Sequence, residues 1–261
     1  MQKSIKDFLY EIEVLGFSVF ENIVSAELLD RLRLDVEKHE NRCKLIYEKN
    51  GITEGMEGCA HHVFGTDDSI DEFLYMFYLD DYIRNFFDAE YILNAYGVLN
   101  NRPYSRSSYA HGQRFHRDVR TFSGDFKLML QMLVMVDDFT VENGATKVAP
   151  STHKIKERPS EEFLEKNSIQ VEGKAGTIIL FDSNLWHSAA PNKTENPRKA
   201  LTLNFSRAFM KPQFDYARML GEDFSKNEKM RQLLGYNSRV PASHDEWYQP
   251  PEKRMYKPGQ G

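Results

Sequence analysis

His116 and Asp118 stand two residues apart, His187 follows 69 residues after the aspartate, and Arg198 lies 11 residues beyond that histidine. Two imidazoles and one carboxylate are the donor set of the facial triad of non-haem Fe(II) oxygenases, which leaves the opposite face of the metal open for a co-substrate and O2. A guanidinium close by is suited to an acid, because its planar donors match a carboxylate two by two and it keeps its charge. These residue types therefore point to oxidation at a ferrous centre.

The i, i+2 spacing of His116 and Asp118 is that of a β-strand, where alternate side chains share a face, so both can reach one metal while Arg117 points away. Spacing alone is a weak signal. With 8 His and 39 acidic residues among 261, about one such pair arises by chance, and a second, His244-Asp245-Glu246, is present. That copy lies between Val240-Pro241 and Pro250-Pro251 without alternation and reads as surface.

The first pair has different surroundings. Phe126 to Val136 is an apolar run short enough for a buried strand or part of a buried helix, followed by Asp137-Asp138, the turn Glu142-Asn143-Gly144 and a short strand from Ala145 to Ala149. Gly176 opens a second apolar run, Thr177 to Phe181, which passes through Asp182-Ser183-Asn184 to Leu185-Trp186-His187. Strand, turn, strand, turn is the grammar of an all-β core.

From His116 to Phe205 the chain resembles the phytanoyl-CoA dioxygenase family of Fe(II)- and 2-oxoglutarate-dependent oxygenases. The likeness is carried, in order, by the His116/Asp118 pair, the Glu142-Asn143-Gly144-Ala145 turn with Pro150-Ser151-Thr152-His153-Lys154, the run Gly176 to His187, and Asn192 to Lys199. Leu15 to Phe20 resembles the family's start, and Leu233 to Tyr236 with Trp247 the end of many bacterial members. The resemblance implies that His116, Asp118 and His187 ligate iron, that Arg198 holds the distal carboxylate of 2-oxoglutarate, and that Gln131 is a further co-substrate contact. It also implies a mainly β fold with flanking helices: a double-stranded β-helix (jelly-roll, cupin-like) core at about 91–210, helical support at 1–90 and a C-terminal covering segment at 211–261, as one domain. A serine common in the family two residues after the distal histidine is here Ala189, so one hydrogen bond to the co-substrate is missing or replaced. Asp118 speaks against halogenation, since the family's halogenases carry a small residue there.

Plainer readings exist for each residue. A histidine beside a tryptophan on an apolar strand is, alone, more often a core residue than a ligand, and Lys193, Glu195 and Lys199 show that Arg198 starts from a wet segment. The ordered agreement of four motifs favours the functional reading of the histidine, and spacing favours it for Arg198. If Arg198 faces inward, Ala200, Thr202, Asn204 and Ser206 do so too, while Leu201, Leu203 and Phe205 pack on the other side. A small polar wall of that kind suits a bound diacid.

The remaining sequence is consistent with one sizeable domain. Aromatic residues at 13% and hydrophobic residues at 41% can fill a core, and 28% charged residues make an ordinary surface. Ser25 is a plausible N-cap for a helix to about Glu48, helices are expected at Ile5 to Leu15 and Ser69 to Phe87, and residues 50 to 65 read as a loop. No apolar stretch approaches the roughly 18 residues of a membrane span, the first residues lack the core of a signal peptide, and two cysteines make no disulfide framework. A cytoplasmic location is expected. Against a net charge of −5, residues 100 to 127 carry Arg102, Arg106, Arg114, Arg117, Arg120 and Lys127 with only Asp118 and Asp125. Such a cluster is either a mouth that attracts an anionic or thioester small-molecule substrate, or a solvated face balancing acidic neighbours, and the second reading is the commoner one. Nucleic acid is a poor fit to an acidic chain without a recognisable module. Two classes remain: an oxygenase that couples O2 and 2-oxoglutarate to hydroxylation, or to desaturation, cyclisation or epimerisation, and a metal-free binding or scaffold protein on the same barrel.

Overall fold

The computed structural model describes residues 3–52, 58–104 and 114–260. Helix α1, Ile5–Leu15, is capped by Ser4, whose hydroxyl accepts the Asp7 N–H, and ends at Gly16 with φ +86°. No other residue fits at that C-cap, because a Cβ on Gly16 would lie 2.6 Å from His153 Nδ1. The strand β1, Phe17–Phe20, follows directly. Helix α2, Ala26–Lys49, is capped by Ser25 and buries Leu28, Leu29, Leu32 and Val36 along one stripe, as the sequence predicts.

Two expectations change in the helical half. Within the segment read as a loop, Cys59–His61 form strand β2, paired antiparallel with β3, Tyr91–Asn101. The single helix expected at Ser69 to Phe87 is two, α3 Ser69–Tyr75 and α4 Asp80–Phe87, separated by Phe77 and Leu79 at φ +48° and +60°. The break lets α3 pack on α2 while α4 turns to pack on α1, which one straight helix could not do.

The remaining strands are β4 Met129–Met135, β5 Lys147–Val148, β6 Ile169–Gln170, β7 Ile178–Asp182, β8 His187–Ser188 and β9 Arg198–Arg207, with helix α5, Glu161–Asn167, before β6. They form a six-stranded antiparallel sheet in the order β1-β7-β4-β9-β3-β2 and a three-stranded sheet, β6-β5-β8. One face of the large sheet, with Leu130, Met132, Leu201, Leu203 and Phe205, packs on the helices. From its other face Phe17, Leu133, Met135, Ile179, Phe181 and Ala200 meet Val148, Val171 and Phe139, so a second, smaller core lies between the sheets.

Three short helices follow, α6 Tyr216–Leu220, α7 Glu228–Leu233 and α8 His244–Trp247. Tyr216, Met230, Leu233, Leu234 and Tyr236 join the outer, helix-covered core. Much of the segment expected to cover the site therefore thickens the opposite layer. No helix among the described residues is long and apolar enough to cross a membrane.

Candidate metal and co-substrate site

Backbone pairing brings the two histidines together. His116 N–H donates to the His187 carbonyl at 2.9 Å and His187 N–H to the His116 carbonyl at 3.1 Å, an isolated antiparallel bridge that sets the two rings 4.3 Å apart. The expected strand through His116 and Asp118 is reduced to this bridge. Asp118 lies in a bend beyond it, and its N–H donates to the Ser183 carbonyl at 3.1 Å.

The side chains converge. His116 Nε2 and His187 Nε2 are each 3.7 Å from Asp118 Oδ1, and ligand atoms of all three lie within 4.8 Å of one another. Each ring's Nδ1 is within hydrogen-bonding distance of a carbonyl, Arg114 at 2.9 Å for His116 and Leu185 at 3.0 Å for His187. A carbonyl can only accept, so Nδ1 carries the proton in both rings and each Nε2 lone pair is free for a metal. Burial lowers the His187 pKa, with Asp118 opposing and His116 reinforcing, and the neutral form is the ligating form. Asp118 Oδ2 is buried without a hydrogen-bond partner among the described residues.

Arg117 does point away from this cluster. Its guanidinium lies 4.7 Å from the Trp186 ring and 5.2 Å from that of Phe122, and donates to the carbonyls of Ile155 and Lys156. The loop bearing Asp118 is clamped by residues whose sequence signals only a turn. Asp182 Oδ1 accepts the Asn184 N–H at 2.9 Å, Asn184 Nδ2 donates to Ser123 Oγ at 2.9 Å, and the Ser183 carbonyl between them holds Asp118. The Asp-Ser-Asn triplet is a turn signal; nothing in sequence shows that it reaches Ser123.

Arg198 is 3% exposed, with its guanidinium carbon 3.9 Å from the centre of the Phe139 ring. One nitrogen donates to the Gly144 carbonyl at 3.2 Å, whereas Nε and Nη1 have no hydrogen-bond partner among the described residues. Burial lowers its pKa to about 10, with Asp137 opposing. A buried cation with spare donors and no carboxylate is costly unless an anion joins it. Gln131 also faces the space between the sheets, donating to Thr202 Oγ1 and accepting from Asn204 Nδ2 at 2.8 Å. It pairs in register with Phe181, whose ring lies 4.8 Å from that of His187.

The basic segment is partly neutralised. Arg102 pairs with Glu40 at 2.7 Å and Lys127 with Asp182 at 3.3 Å, while Arg117 is stacked on Trp186. Arg106 lies outside the described residues. His244, Asp245 and Glu246 lie in the short exposed helix α8, on the surface as expected.

The family model for phytanoyl-CoA dioxygenase (PhyH) matches residues 12–200. Uncharacterized protein Mb1539 of Mycobacterium bovis is 40% identical over 149 residues, covering 56% of this chain and 55% of that protein. Dioxygenase FUM3 of Gibberella moniliformis is 28% identical over 144 residues, covering 50% and 46%. The chain thus spans about half the length of the curated relatives it matches. Among solved structures, EctD from S. alaskensis with bound Fe shares the fold at a TM-score of 0.64 and 21% identity, covering 81% of this chain and 80% of that one.

Proposed function

We propose, for a chain that belongs to the phytanoyl-CoA dioxygenase family, that it is an Fe(II)- and 2-oxoglutarate-dependent oxygenase that hydroxylates an unactivated C–H bond of a small metabolite. In balance, substrate C–H, O2 and 2-oxoglutarate give substrate C–OH, succinate and CO2. The observation that carries this reading is one constellation: a His-Asp-His cluster with both Nε2 lone pairs free, and a buried guanidinium with two unpaired donors in the same protein interior.

His116, Asp118 and His187 would hold the metal on a double-stranded β-helix core. Bound there, ferrous iron supplies the redox chemistry that activates O2 with the electrons of 2-oxoglutarate decarboxylation. Everything else falls to the chain. The carbonyls of Arg114 and Leu185 keep the imidazole protons on Nδ1, and the Asp182–Asn184–Ser123 clamp aims the Asp118 carboxylate. Arg198 would take the distal carboxylate of 2-oxoglutarate with its two spare donors, and Gln131 would contact the co-substrate nearer the metal. The EctD structures lend support by analogy, since one holds Fe and another 2-oxoglutarate with 5-hydroxyectoine.

The test is Fe(II)-dependent conversion of 2-oxoglutarate to succinate, screened over acyl thioesters, amino acids, sugars and natural-product intermediates. Succinate release stimulated by one of these classes, with one oxygen atom gained by the substrate, supports the reading. Absence of any Fe(II)-dependent succinate contradicts it.

A further inference from the structure

A chain of hydrogen bonds crosses the large sheet toward the site, and its direction is fixed at one end. The Gln213 backbone N–H donates to Asn94 Oδ1 at 3.1 Å; Asn94 Nδ2 donates to Asn204 Oδ1 at 3.4 Å; Asn204 Nδ2 donates to Gln131 Oε1 at 2.8 Å. Gln131 Nε2 then donates to Thr202 Oγ1. Side-chain amides present oxygen and nitrogen in nearly the same shape, so only their partners decide which way they face. A backbone N–H can do nothing but donate. It therefore orients Asn94, which orients Asn204, which orients Gln131, and the last acceptor is the Thr202 hydroxyl. Having accepted, that hydroxyl keeps its own proton to give, and no acceptor among the described residues takes it.

Thr202 is placed to use it. On β9 it shares a face with Arg198 and Asn204, and it is partly exposed between Leu201 and Leu203, which are 0% and 1% exposed on the other face. Its neighbours in register are Leu133 on one side and Gly97 on the other, and a Cβ on Gly97 would come within 3.3 Å of Thr202 Cγ2. Asn204, next on the same face, pairs with Gln131, and Gln131 with Phe181 beside His187. Thr202 thus stands between the histidine end of the interior and the Arg198 end. A ligand spanning the two passes it.

Resting on the function proposed above, we infer that Thr202 donates a hydrogen bond to 2-oxoglutarate, with Asn94 and Asn204 as positioning residues that hold it and Gln131 in donor orientation. The chemistry is complementary, because 2-oxoglutarate at neutral pH offers two carboxylates and a ketone, all acceptors and no donors.

The test is anaerobic calorimetry of 2-oxoglutarate binding to the Fe(II)-loaded protein. Thr202→Val, which keeps shape and loses the donor, is expected to raise Kd roughly tenfold, and Thr202→Ser to stay within about twofold of wild type. Asn94→Leu should weaken binding in the same direction by a smaller factor, since Gln131 is then free to turn over. If Thr202→Val binds as wild type while Arg198→Ala binds weakly, the inference is overturned and the proposed function stands. If wild type itself shows no binding, both fall. Should Thr202→Val fold poorly by thermal melting, the Thr202→Ser and Asn94→Leu arms decide: a large loss of affinity in Thr202→Ser, or no loss in Asn94→Leu, overturns the inference.

Discussion

The two faces of β9 share one backbone and have opposite characters. Outward, Lys199 pairs with Glu37 at 2.9 Å, and Leu201, Leu203 and Phe205 are buried against the helices. Inward, Arg198, Thr202 and Asn204 are polar, and Arg198 has two nitrogens with no partner among the described residues. The outward face stabilises the fold by burial of apolar surface. The inward face carries uncompensated polarity that stability alone does not explain. That difference is what the proposed function accounts for, and it can be broken or sharpened by substitution.

The largest separation is expected at the metal cluster. His116→Ala, Asp118→Ala and His187→Ala should each abolish Fe(II)-dependent succinate formation; His116→Ala and Asp118→Ala should melt close to wild type, since neither side chain belongs to a hydrophobic core, and His187→Ala lower, since its buried ring packs on Phe181. Near wild-type turnover with stoichiometric iron in any of the three would remove that residue from the ligand set. On the outward face, Leu203→Ala should destabilise by about 2–5 kcal/mol in denaturant unfolding and leave 2-oxoglutarate affinity of the folded fraction unchanged.

Arg198 should show the reverse pattern. Arg198→Met fills similar volume without charge, so the apparent Michaelis constant for 2-oxoglutarate should rise at least tenfold while the melting temperature holds or increases. Arg198→Lys should fall between, because a point charge replaces a two-pronged donor. A lower melting temperature with an unchanged Michaelis constant would recast Arg198 as a structural residue.

The smallest effect concerns pH and the outer layer. His62 stacks on Phe214 with ring centres 4.5 Å apart and lies 3.3 Å from the Tyr216 hydroxyl; burial first, then the neighbouring His61, lowers its pKa from 6.5 to about 4. The unfolded chain therefore takes up this proton at a higher pH than the folded one. Its contribution to stability is present above about pH 6.5 and is lost progressively as pH falls toward about 4. His62→Gln should flatten that part of the melting curve against pH; an unaltered slope would show that other groups carry it.

Some of this is legible in the sequence. Ser4-to-Leu15 and Ser25-to-Lys49 announce their helices through caps and apolar stripes, and the alternation of β9 assigns Arg198, Thr202 and Asn204 to one face from residue order alone. The motifs around His116, Asp118 and His187 are sufficient to nominate them, and the fold does bring them together. What sequence does not carry is long-range. The break at Phe77 to Leu79 depends on α3 and α4 choosing different helices to pack on, and α7 joining the outer core depends on where Tyr216 to Tyr236 return. Phe139 beneath Arg198, the Asn184–Ser123 clamp and the Gln213–Asn94 hydrogen bond join residues far apart in the chain, so no local pattern encodes them.

The central claim is that one interior holds both ferrous iron and 2-oxoglutarate, and an anaerobic visible spectrum tests it most directly. Adding Fe(II) and 2-oxoglutarate to the wild-type protein should produce the weak charge-transfer band of the chelate. The band should vanish in His187→Ala, and in Arg198→Ala it should require much more 2-oxoglutarate. A wild-type protein with no band at saturating Fe(II) and 2-oxoglutarate would contradict the account and leave the two-sheet fold as a metal-free binding scaffold.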